Sequence, residues 1–138
     1  MELQSKYFTL KEMLASDTAR RKGIDNTPTW GIVQNLNGLA VNLLDPIREL
    51  YGKPIYVNSG YRCPELNKAV GGVPTSEHMK GMAADIDTRK GVAENMRLFE
   101  MIKNSGLKFT QLIDEKHGAW VHVSYNAANL KCQAFKLN

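Results

Sequence analysis

Three side chains of this 138-residue chain have the types and spacing to hold a divalent metal. His78 and Asp85 stand in Ser76-Glu77-His78-Met79-Lys80-Gly81-Met82-Ala83-Ala84-Asp85, and His122 follows in Trp120-Val121-His122-Val123-Ser124. Imidazole nitrogen and carboxylate oxygen are both good zinc ligands. Three protein ligands leave the fourth position of a tetrahedral ion to water, which marks a catalytic rather than a structural site. Such an ion acidifies its water toward about 7 and polarises a carbonyl, and a nearby carboxylate must then take the proton. Glu115 is the candidate for that base.

A histidine alone on a strand is ordinarily structural, so the weight lies on the three ligands together. The glycine and alanines between His78 and Asp85 let the backbone pass close to an ion, and a charge at Asp85 is costly to bury without a cation. Alternation puts Trp120, His122 and Ser124 on one strand face and the two valines on the other. Pairing across the 116–119 turn brings Glu115 toward the face of His122, whereas Asp114 points to the other face and reads as a solvated turn charge. His117 is either an ordinary exposed turn residue or a donor to a developing oxyanion. Arg62, after Ser59-Gly60-Tyr61, is either a fork for a peptide's terminal carboxylate or half of a surface ion pair.

These groups need a scaffold. Thr9 and Glu12 form a capping-box signal for a helix over 8–22 that Gly23 breaks. Asn26-Thr27-Pro28 reads as the start of a longer helix whose inward stripe runs through Trp30, Val33, Leu36, Ala40, Leu43, Ile47 and Leu50. Pro46 predicts a kink or break near Asp45. Residues 54–58 read as a strand, 64–70 as a helical turn and 71–81 as a long ordered loop. A short strand at 83–87 precedes a helix over 92–103 whose Val92, Met96, Phe99 and Ile102 face inward. Residues 109–115 and 119–125 form an antiparallel hairpin around Lys116-His117-Gly118, and 126–138 is a final strand or an ordered tail. Helices first and strands later predict an α+β fold, with a small, mostly antiparallel sheet and flanking helices.

Length and 43% hydrophobic content predict one domain over residues 1–138. There is no run of about 18 apolar residues, so no membrane span is expected. The net charge of +4 suits an anionic partner, but the basic residues are scattered and not interleaved with aromatics, which argues against nucleic acid. Cys63 and Cys132 match no metal or redox spacing, and a disulfide between them stays open. The N-terminal stretch lacks the pattern of a secretory signal, which leaves localisation undetermined, with action at the cell wall still compatible.

The residues Ser76, His78, Gly81, Ala83, Asp85, Trp120 and His122 fill, position by position, the pattern Ser-x-His-x-x-Gly-x-Ala-x-Asp followed by a Trp-x-His strand. In this the chain resembles the zinc D-Ala-D-Ala carboxypeptidase and L-Ala-D-Glu endopeptidase family, which shares its metal site with the hedgehog signalling domain. Ser59 to Arg62 also resembles a family segment, and the likeness to small single-domain phage-like and bacterial members runs from about Tyr7 to Tyr125. The resemblance implies Zn2+ on His78, Asp85 and His122 and a peptidoglycan peptide as substrate; Arg62 and Ser76 are expected as substrate contacts and the chain as a monomer. Several relatives carry the catalytic acid three positions before the last histidine, where this chain has Ala119, so the role passes to Glu115. The competing reading is a module that keeps zinc and binds cell wall or a protein without catalysis.

Overall fold

The computed structural model describes residues 2–138. Thr9 caps a short helix α1 (Leu10–Leu14) by accepting from Glu12 N. The single helix expected over 8–22 is split. Ser16 accepts from Ala19 N and starts α2 (Asp17–Lys22), because a serine that satisfies an orphan amide competes with continuation of the preceding helix.

The next helix, α3 (Trp30–Leu39), is capped by Thr29 rather than by Asn26. Asn26 has other partners: its amide nitrogen donates to Leu14 O and Tyr61 O, and its oxygen accepts from Cys63 N at 2.8 Å. Tertiary bonds thus take the side chain that local sequence assigns to the cap. The rod continues through a π-helical segment (Ala40–Leu44) into α4 (Asp45–Tyr51). Over that segment the hydrogen bonds slip by one residue, with Asp45 N donating to Ala40 O, and Pro46 sits in the first turn of α4. A proline has no N–H to donate, and the slip absorbs the loss without a break.

Leu36, Leu39, Leu43 and Ile47 are fully buried along this rod, each contributing roughly 1.5–3 kcal/mol. Trp30 and Leu50, expected inward, are 60% and 41% exposed, since they stand at the two ends of the stripe beyond the core. After β1 (Tyr56–Ser59) comes α5 (Pro64–Ala69), capped by the Cys63 sulfur, then a 3-10 turn (Glu77–Lys80) inside the expected loop, and β2 (Ala83–Asp87). In α6 (Val92–Lys103), Phe99 and Ile102 are buried as expected but Val92 and Met96 are exposed. The first turn of α6 lies against the backbone of Gly118, not against the core: a Cβ added there would stand 2.7 Å from Val92 O.

The chain ends in β3 (Gln111–Glu115), β4 (Trp120–Ser124) and β5 (Gln133–Leu137). The sheet order is β1-β2-β4-β3-β5, antiparallel throughout except for the parallel pair β3 and β5. This is an α+β fold. One sheet face carries Ala84, Ile86, Leu112, Val121 and Val123 into the core, with α6 packed on β3 and β4. Alternation leaves Asp85, His122 and Glu115 on the other face. Cys63 is buried, Cys132 exposed, and both are free thiols. Among the described residues no helix is long and apolar enough to cross a membrane.

Candidate metal centre

The 3-10 turn that carries His78 is held from both ends. Ser76 accepts from His78 N at 3.2 Å, and Gly81 closes the turn in the left-handed conformation, φ +71°. A Cβ on Gly81 would meet Ile32 O at 2.9 Å, so glycine lets the turn settle onto α3. His78 is 2% exposed, and its Nδ1 lies 2.7 Å from Gly60 O. That carbonyl can only accept, which puts the proton on Nδ1 and leaves Nε2 as a bare lone pair. Gly60 is fixed in turn, for a Cβ there would stand 2.3 Å from Met13 O.

Asp85 and His122 are direct cross-strand partners on β2 and β4. Asp85 Oδ1 lies 2.9 Å from His122 Nδ1 and 3.3 Å from His78 Nε2, while Oδ2 lies 3.7 Å from an Arg62 nitrogen. Burial alone would raise the pKa of Asp85, but the hydrogen bond with His122 and the closeness of the two imidazoles hold it far below the ordinary carboxylate value. One carboxylate therefore divides its oxygens between two histidines and an arginine.

These residues fit a zinc ion on structural grounds. One ligand atom from each lies within 4.8 Å of the others. Two donors about 2.1 Å from a tetrahedral ion stand roughly 3.4 Å apart, close to the separations found around Asp85 Oδ1. His78 Nε2 is buried without a hydrogen-bond partner, an arrangement that costs about 1–3 kcal/mol unless something else satisfies the atom. A cation does so, and the neutral imidazoles with one carboxylate are the donor set zinc prefers.

Asp85 and His122 line a cavity of about 1020 Å³, and Ser76 and Glu77 bring the turn of the buried His78 to its wall. Glu115 lines it, cross-strand from Trp120 and two pairs along from the Ile113 and His122 row, a step of about 7 Å. Burial raises the Glu115 pKa, helped by the Asp85 charge and opposed by His122, His78 and Lys116. Arg62 also lines the cavity. It donates to Asn67 Oδ1 at 3.1 Å, and its Nε is buried without a partner. Burial works against its charge, and Asp85 and Glu115 offset part of that.

Other expectations need correction. His117 is exposed at the hairpin tip, outside the cavity lining, because Lys116, His117 and Gly118 are all left-handed and turn its side chain away. Asp114 faces away from the site as expected, but it is 2% exposed and accepts from Gly118 N at 2.8 Å, so it is a buried brace of the turn, not a solvated charge. Ser76 uses its oxygen on the His78 turn. Two positioning residues escape sequence inspection. Asn67 couples Arg62 to Val73 O, and Asn95 donates to Gly118 O at 2.9 Å. An asparagine gives no local signal for such distant partners.

A family model described as Peptidase M15 matches residues 6–124. No curated protein matches the chain.

Proposed function

The chain belongs to the peptidase M15 family, and from that premise we propose that it is a zinc enzyme hydrolysing peptide bonds in the stem peptides of bacterial peptidoglycan. The observation that carries the proposal is the unpartnered Nε2 of His78, aimed at Asp85 and His122. Zinc held by these three residues would supply Lewis-acid polarisation of the scissile carbonyl and acidify the attacking water toward about 7. Gly60 O keeps His78 in the ligating tautomer.

Glu115 takes the proton from the attacking water and returns it to the leaving amine nitrogen. Its raised pKa suits the first half of that transfer, since a more basic carboxylate takes the water's proton more readily. Arg62, at the cavity wall, pairs with a carbonyl or carboxylate oxygen of the peptide, with Asn67 fixing the guanidinium plane. Ser76 acts through the His78 turn.

The test is hydrolysis of purified wall peptides by zinc-loaded protein, followed by mass spectrometry of the products with and without a chelator. Cleavage that the chelator stops and zinc restores is expected. Protein carrying a full equivalent of zinc that leaves every such peptide intact would overturn the assignment and favour a zinc-bearing binding module.

A further inference from the structure

The segment after β4 lies beyond the stretch 6–124 matched to the family, yet it builds part of the catalytic cavity. Asn126, Asn129, Lys131 and Leu137 all line it. Parallel pairing with β3 sets Gln133 beside Gln111 and Leu137 beside Glu115. The two ends are tied: Gln111 Nε2 donates to Gln133 Oε1 at 3.0 Å, and Lys116 N donates to Leu137 O at 2.8 Å.

From the Gln111 row to the Glu115 row this strip runs about 14 Å, the length of roughly four residues of extended peptide. The row of Ile113 and His122 crosses its middle. A peptide lying along the strip therefore has room on both sides of the ligand cluster. The cations of the cavity also differ. Arg62 lies beside Asp85, and Lys80 lies 3.6 Å from Glu77. Lys116 forms no ion pair but lies over the Trp120 ring, whereas Lys131 forms neither an ion pair nor a cation–π contact among the described residues. Leu137, at the opposite end, leaves an apolar side chain 51% exposed at the cavity wall.

We infer that residues 126–137 are a specificity element, with Lys131 pairing with a carboxylate of the substrate and Leu137 covering an apolar side chain. The favoured substrate is then an extended, anionic peptide of about four residues cut at an internal bond, not a terminal dipeptide. The inference rests on the peptidase assignment above.

The test uses the zinc-loaded full chain with a synthetic stem peptide bearing free side-chain carboxylates, the same peptide amidated, and a blocked dipeptide around the cleaved bond. Wild type is expected to prefer the carboxylate form over the amidated form about tenfold in kcat/KM, the scale of one partly exposed charge-assisted hydrogen bond. Lys131→Glu removes that preference mainly through KM, and Lys131→Arg keeps it. Leu137→Asp narrows the gap between the long peptide and the dipeptide by about tenfold, as loss of a buried apolar contact predicts. Both side chains are exposed, so thermal midpoint and zinc content report any folding defect independently. If Lys131→Glu and Leu137→Asp keep the wild-type preferences, the specificity element is overturned while the peptidase assignment stands. If wild type cuts none of the substrates, the peptidase assignment fails first and takes this inference with it.

Discussion

Two sets of buried polar side chains lie on opposite sides of the sheet, and they differ in what satisfies them. On the side of α6, Asn95 is 2% exposed and uses every hydrogen-bonding atom: its oxygen accepts from Thr88 N and Oγ1, and its amide donates to Asp87 and Gly118 O. Asp114 is likewise paired, with Gly118 N. On the open side, Arg62 Nε, Glu77 Oε2, His78 Nε2 and Trp120 Nε1 are buried with no hydrogen-bond partner. Groups partnered within the chain hold its shape, while buried groups left unmet on the cavity side are where an ion, a ligand or water is accommodated.

That contrast breaks or sharpens under substitution. The largest effect belongs to the metal. Chelation is expected to abolish hydrolysis, and zinc at roughly 1,000 times its Kd should stabilise wild type by about 4 kcal/mol in thermal denaturation. His78→Ala should lose that zinc-dependent gain. A variant that kept it would show that the unmet nitrogen is no ligand. Next comes Glu115→Gln, expected to lower kcat by about 10²–10⁴-fold while the protein retains its zinc by elemental analysis.

Asn95→Ala tests the satisfied side. Removing a fully bonded buried amide should cost about 2–3 kcal/mol in denaturant unfolding, with folded protein keeping its zinc and kcat within about tenfold. A loss of kcat as large as that of Glu115→Gln, at full stability, would erase the distinction between the two sides. The smallest effect concerns pH. Burial first, then the Asp85 charge, raises the Glu115 pKa, so its contribution to folding is fully present below the unfolded value and is lost as pH rises through the folded one. Metal-free Glu115→Gln should therefore melt slightly above metal-free wild type at pH 7, and level with it near pH 3.

The ligand set was legible because its residue types are costly to place together for any other purpose. The motif also required Asp85 and His122 to share a strand face, and their direct pairing in the sheet does that. Glu115 was legible from hairpin register alone. What could not be read depends on distant contacts. Asn26 looked like a cap until Tyr61 and Cys63 competed for it, across 35 and 37 residues of sequence. Periodicity gave α6 an apolar face but could not tell that its first turn meets a hairpin turn. The parallel pairing of β5 was hidden for a similar reason: Gln-Ala-Phe-Lys-Leu carries weak alternation, and its partner is chosen by the sheet edge left free on β3.

The tie between Lys116 N and Leu137 O has a practical consequence for handling the protein. Anything fused behind Asn138 emerges one residue from that clamp, next to Glu115 and the cavity mouth. An affinity handle there would crowd the entrance to the cavity. Purification vectors that append histidines downstream would add a further hazard, a string of surplus imidazoles near His78, Asp85 and His122.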